Sequence, residues 1–147
     1  MQIHASCAAL GPVDHAEGVL LLGPPGAGKS DLVLRLMDIG FSLVADDIVM
    51  IANGWASPAA NLAGLLEVRG LGIIRRPHLP RARLALAVEL GQGERLPEPR
   101  IHQPTGLPLV TIDPALASAP RRVALALDCL AGRARAFAGP LAQTTLA

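Results

Sequence analysis

The spacing of apolar residues changes character several times along the chain, and each change predicts an element. "MQIHASCAAL" alternates weakly, "GPVDHAEG" is rich in turn formers, and "VLLL" is a continuous apolar run. Met1 to Leu22 therefore reads as a hairpin whose second strand is buried. From Lys29 the spacing becomes helical, with Leu32, Val33, Leu36 and Met37 on one face and Gly40 as a C-terminal stop. Phe41 to Ala45 is a strand that delivers Asp46 and Asp47. "IVMIANGWAS" reads as a hairpin turning at Asn53-Gly54, where both central positions favour positive φ. Arg81 to Leu90 alternates as a strand, and Leu107 to Asp113 is another. Pro120 opens a last helix reaching about Gly132, with Val123, Leu127 and Leu130 facing inward. Strands outnumber helices, which predicts a mixed β-sheet with flanking helices in one α/β domain over residues 1–132. The tail, 133–147, is expected to fray.

Composition narrows this picture. A chain of 147 residues suits one domain with a sizeable core. Aromatic residues make up only 2%, so that core must be built from Leu, Val, Ile and Ala. A net charge of +1 gives no reason to expect nucleic acid or an anionic membrane as partner. The mean hydropathy of +0.42 raises the question of a membrane span. The longest uncharged run, Ile48 to Leu66, is broken by Asn53, Gly54, Ser57, Pro58 and Asn61, which excludes a spanning helix. No basic segment precedes an apolar one at the start, so no signal peptide is expected. Cys7 and Cys129 are far apart and have no metal-type spacing, so two reduced thiols in a cytoplasmic protein are expected.

The chemistry begins at "GPPGAGKS", which fits G-x-x-x-x-G-K-[ST] and lies between an apolar strand and a helix, as a phosphate-binding loop requires. Gly23, Gly26 and Gly28 let the main chain turn so that successive N–H groups point at phosphate oxygens, with Pro24, Pro25 and Ala27 completing the loop. The helix N-terminus adds partial positive charge and Lys29 a full one. Ser30 is placed to bind Mg²⁺. Lys29 is the only lysine, the other twelve basic residues being arginine. A chain that otherwise uses only Arg keeps Lys where a compact ammonium must sit among phosphates. The motif implies a nucleoside triphosphate without naming the reaction.

Three carboxylates follow. Asp46 and Asp47 end the strand after the loop's helix, where ligands of α/β sheets collect. Adjacent strand residues point to opposite sides, so one is free to face the phosphates while the other holds the loop. A carboxylate facing the terminal phosphate is a metal ligand, a water-orienting group or a base for a hydroxyl. Glu67, in "LLEVRGLGII", and Arg69 stand between apolar neighbours and need partners, either each other or a metal-phosphate centre. His4 stands alone on a predicted strand, where a merely structural histidine is the ordinary expectation.

In this order, "IHASCAAL", "GPPGAGKSDLVLRLMDIGFSLVADDIVM" and "LLEVRGLGII" resemble the catalytic domain of HPr kinase/phosphorylase, in a short form without the N-terminal domain of longer members. "GERLPE", with Arg95, is a weaker match to the family's catalytic arginine. The resemblance implies a P-loop fold of the phosphoenolpyruvate-carboxykinase-like type, usually in a ring-shaped hexamer. It implies ATP- and Mg²⁺-dependent phosphorylation of a serine on the phosphocarrier HPr, with reversal by inorganic phosphate. Carried over by position, Lys29 and the loop hold the β- and γ-phosphates, and Ser30 and Glu67 bind Mg²⁺. Asp47, ahead of Asp46, takes the serine proton, Arg95 neutralises charge and His4 lies beside the phosphates.

The chain departs from the family in several places. Asp31 follows GKS where Glu is usual, and the stretch between "VADD" and "LLEVRG" is short. "LPLVTIDPALASAPRRVA" replaces the arginine-rich loop tied to the reverse reaction. Two other readings of the P-loop are a kinase for a small-molecule hydroxyl and a nucleotide sensor that signals by occupancy.

Overall fold

The computed structural model describes residues 1–142. Eleven strands and two α-helices occur among them. β1 is Gln2–His4, β2 Ser6–Leu10, β3 Glu17–Leu22, α1 Lys29–Met37, β4 Ser42–Ala45, β5 Ile48–Ala52 and β6 Trp55–Pro58. β7 is Leu65–Val68, β8 Gly72–Arg75, β9 Ala82–Leu90, β10 Arg100–His102, β11 Leu107–Ile112 and α2 Ala119–Ala131. The main sheet runs β1-β5-β6-β9-β3-β2-β4, and the pair β10-β11 joins it along β9. β9 is parallel to both β3 and β11, and the remaining ladders are antiparallel, so the sheet is mixed as predicted.

The centre of this arrangement is a bulge in β9. Gly18 pairs with Leu84 and Val19 with Leu86, which leaves Ala85 as an extra residue. A one-residue insertion reverses the inside-outside alternation beyond it. Accordingly Ala82 and Leu84 enter one core cluster, whereas Leu86, Val88 and Leu90 enter the other. The pairing changes at the same place, since Ala82 and Arg83 pair with β6 but Ala87 to Leu90 pair with β11. Helices α1 and α2 cover the second face, burying Leu32, Val33, Leu36, Val123 and Leu127. The first face is closed by β5 and β6, which contribute Val49, Ile51 and Ala56.

Several predicted boundaries move. The β2–β3 hairpin is present, but β1 leaves it and pairs with β5, with Ile3 opposite Val49. The tight turn at Asn53-Gly54 has φ of 52° and 81°, as the dipeptide suggests. In α2 the inner face is Val123, Ala124, Ala126 and Leu127, whereas Leu130 is exposed because the last turn extends past the surface it would cover. "LLEVRGLGII", which carried no strand prediction, forms the antiparallel hairpin β7–β8 as a small separate sheet. In the tail, Arg133 makes ion pairs with Glu17 and Asp128, and Leu141 packs against the core. The rest of the expected frayed segment, 143–147, lies outside the described residues.

Candidate active site

β3 and β9 are parallel, so their carboxyl ends open on the same edge of the sheet, and the loop 23–28 leaves β3 there to enter α1. Gly28 is the residue before the helix and has φ 102°, a left-handed conformation that a side chain would strain. The Lys29 ammonium folds back over its own loop and donates to the carbonyls of Gly23 and Pro24, the latter at 3.0 Å.

A cavity of about 520 Å³ opens beside this loop. Pro25, Gly26, Gly28, Lys29 and Ser30 form one wall, and Glu67, Val68 and Arg69 of the β7–β8 hairpin form the other. Ser6 and Asp47 lie between them, with Asp31 and Leu34 at the helix side. Leu66, fully buried, anchors the hairpin in the core. The alternation of β7 then turns Glu67 and Arg69 outward together. Both are exposed, and the described residues show no ion pair between them, so the expectation of half-buried mutual partners is corrected. One residue of offset from Leu66 places their charges in solvent at the cavity wall.

Asp46 and Asp47 occupy different positions for a reason other than strand alternation. β4 ends at Ala45, and the two aspartates form a turn. The Ile48 N–H donates to the Asp46 carbonyl at 2.8 Å and Asp47 has φ 69°, which makes a γ-turn centred on Asp47. That form is rare and strained. It is held by the Ala5 N–H, which donates to the Asp47 carbonyl at 3.1 Å. The result is that Asp47 lines the cavity and Asp46 is buried behind it, only 7% exposed.

The Asp46 carboxylate accepts from three groups. Ser30 Oγ lies 2.8 Å from Oδ1 and 2.9 Å from Oδ2, Ser6 Oγ donates to Oδ1 at 2.7 Å, and the Glu67 N–H donates to Oδ2 at 3.1 Å. One buried carboxylate thus joins the P-loop helix, β2 and the β7–β8 hairpin. Hydrogen bonds to a charged acceptor contribute about 1.5–3 kcal/mol each, which makes this the strongest polar junction of the site.

The structure therefore brings together Lys29, Ser30, Asp47 and Glu67 around the cavity, with Asp46 immediately behind. His4 and Arg95 stand outside the cavity lining. His4 is exposed at the end of β1, opposite Ile48 and next to the Asp47 turn. Arg95 is exposed in the loop that follows the carboxyl end of β9. Sequence reasoning passed over Ser6, the Glu67 amide and Arg69 as wall. The signal for Ser6 was available: it is a single hydroxyl in the run Ala5–Ala9, all of it buried.

A sheet whose parallel strand feeds a phosphate-binding loop, with a buried aspartate on the loop's serine, defines a P-loop domain. The family model described as "HPr Serine kinase C-terminal domain" matches residues 7–79. The HPr kinase/phosphorylase of Streptococcus thermophilus is 47% identical over 65 residues, and that of Neisseria meningitidis 45% over 69. These matches cover 41% and 42% of this chain but 21% of either relative, so the chain matches about a fifth of their length. The solved Hpr(Ser) kinase/phosphatase of Coxiella burnetii superposes with a TM-score of 0.65 and 25% identity, over 84% of this chain and 91% of that one. Family model, relatives and solved structure all make the chain similar to the catalytic domain of HPr kinase/phosphorylase.

Proposed function

We propose that this domain is an ATP- and Mg²⁺-dependent protein-serine kinase acting on an HPr-type phosphocarrier protein. The observation that carries this reading is the separation of the adjacent aspartates: Asp46 holds the P-loop serine, and the γ-turn leaves Asp47 at the cavity, where it would act as the base. The similarity to enzymes named HPr kinase/phosphorylase supports the acceptor.

The donor set suits magnesium. Ser30 hydroxyl and the Asp47 and Glu67 carboxylates at the cavity are all hard oxygen donors. Among the described residues no three His, Cys, Asp or Glu side chains form a metal cage. Magnesium is usually held by one or two protein groups together with substrate phosphates. Ser30 and Glu67 would hold it, and bound there it would neutralise charge developing on the phosphates.

In the transfer, the acceptor serine oxygen forms its bond to the γ-phosphorus as the bond to the β-phosphate bridging oxygen breaks. ADP leaves with that oxygen, and the serine proton passes to Asp47. The proton need move only as the transfer proceeds, because an unactivated hydroxyl is a far weaker acid than the carboxyl. Lys29, released from the Gly23 and Pro24 carbonyls, stabilises the β- and γ-phosphates, and positioning supplies most of the acceleration. By resemblance, Arg95 would supply a further positive charge and His4 would lie beside the phosphates. The hexameric ring and the cytoplasmic location come with this reading by resemblance.

The test is intact-mass spectrometry of a purified HPr-type phosphocarrier after incubation with the protein, Mg²⁺ and ATP. One added phosphate on a serine, absent with Asp47→Asn, is expected. An unmodified acceptor under conditions where ATP binds would overturn the assignment.

A further inference from the structure

Ser6 is fully buried on β2, between Ala5 and Cys7, and its strand neighbours through Ala9 are all apolar and buried. A hydroxyl in such surroundings is costly unless it is hydrogen-bonded. Its partner is the Asp46 carboxylate, at 2.7 Å, and since a carboxylate can only accept, Ser6 donates. The placement follows from register. Cys7 pairs with Ala45, and His4 pairs with Ile48, so one antiparallel register continues through the turn and sets Ser6 opposite Asp46.

We infer that Ser6 is a positioning residue of the nucleotide site, acting through Asp46 on the Ser30 hydroxyl and so on the affinity for the metal–nucleotide complex. Asp46 Oδ1 receives both hydroxyls, while Oδ2 is shared between Ser30 and the Glu67 amide. With Oδ1 fixed by Ser6, the carboxylate cannot rotate about its last bond, and Ser30 can direct its proton to Asp46 while its lone pairs face the cavity. Without Ser6 the carboxylate keeps two partners but loses that orientation. Partners one step removed from a metal site commonly change affinity or activity by about tenfold or more.

The inference rests on the kinase reading of the site, and the test separates the two. AMP-PNP is titrated calorimetrically into wild type, Ser6→Ala and Ser6→Thr, each with and without Mg²⁺, and kcat and KM are measured with the phosphocarrier. Ser6→Ala is expected to lose about tenfold of the Mg²⁺-dependent gain in affinity, with metal-free affinity unchanged. Its kcat should fall while KM for the acceptor stays the same, and Ser6→Thr, which restores the hydroxyl, should recover both. Equal losses with and without Mg²⁺, or none, overturn the role of Ser6 and leave the kinase reading standing. Wild type with no Mg²⁺-enhanced binding overturns the site reading and this inference with it. Should Ser6→Ala fold poorly, Ser6→Cys keeps the size with a much weaker donor. Wild-type Mg²⁺ enhancement in that variant also overturns the proposal.

Discussion

Ser30 Oγ sits between the two oxygens of Asp46, 2.8 Å from one and 2.9 Å from the other, so the first turn of α1 is fastened to the end of β4 by a single side chain on each. On the proposed reading the neighbouring aspartates have separable tasks. Asp46→Asn would put an NH₂ donor where one acceptor oxygen stood, leaving a single acceptor for the Ser6 and Ser30 hydroxyls and the Glu67 N–H unless a hydroxyl turns round to accept. The expected result is at least a tenfold loss of Mg²⁺-dependent nucleotide affinity and a lower Tm. Asp47→Asn should bind nucleotide as wild type does while phosphoryl transfer falls by about 10²-fold or more, the usual weight of a general base. Calorimetry beside a transfer assay checks both. A pair of variants with the same profile would refute the division of labour.

The single lysine makes the phosphate loop chemically addressable. Lys29 is partly exposed and rests on the Gly23 and Pro24 carbonyls, and the only other amine is the N-terminus, which donates to the Ile51 carbonyl at 2.9 Å. Limited treatment with an amine-acetylating reagent should therefore give one lysine adduct in the peptide map. ATP with Mg²⁺ should suppress that adduct several-fold by engaging the ammonium. Unchanged labelling at saturating nucleotide would remove Lys29 from the phosphate site.

Much of the frame was legible because local chemistry and tertiary structure agree. The P-loop, the spacing of Leu32, Val33 and Leu36, and Asn53-Gly54 each specify their conformation from a few adjacent residues. What was not legible depends on partners distant in sequence. β1 reads as part of a hairpin until Ile3 is known to pair with Val49. The β7–β8 hairpin is obscured because its apolar residues do not all serve the core: Leu66 is buried, whereas Leu71 and Ile73 are about three-quarters exposed, 76% and 70%. In the site, the positions of Asp46 and Asp47 differ through a γ-turn, not through the strand alternation that the sequence suggested. That turn depends on the Ala5 amide, some forty residues earlier in the chain.

The bulge in β9 predicts a sharp contrast between two glycines. A Cβ at Gly18 would lie 2.8 Å from the Arg83 carbonyl oxygen, in the main chain that flanks the extra residue Ala85. Main chain there cannot yield without disturbing both cores, so Gly18→Ala should destabilise by about 1–3 kcal/mol. Gly91 has open space around its Cβ direction, and Gly91→Ala should be neutral or slightly stabilising, by up to about 1 kcal/mol. Urea unfolding of the two variants beside wild type decides the matter, and comparable stabilities would mean that the β3–β9 approach is looser than described.

Cys7 ties stability to alkaline pH. It is fully buried between Ser6 and Ala8, and burial pushes its thiol up from 9.0 to about 12, with a hydrogen bond involving the Val19 main chain opposing the shift. The folded state disfavours the thiolate, so the unfolded chain loses its proton first as pH rises. The contribution of the neutral thiol is then complete below pH 9 and is lost progressively up to about pH 12. Within that window unfolding free energy should fall by up to about 1.4 kcal/mol per pH unit on account of this one group. Cys7→Ala should be less stable at pH 8, through the loss of packing, yet should lack this part of the alkaline slope. Denaturation at pH 8, 9.5 and 10.5 measures the difference between the two slopes. Parallel slopes for wild type and Cys7→Ala would show that the thiol ionises as readily in the folded protein as in the unfolded chain.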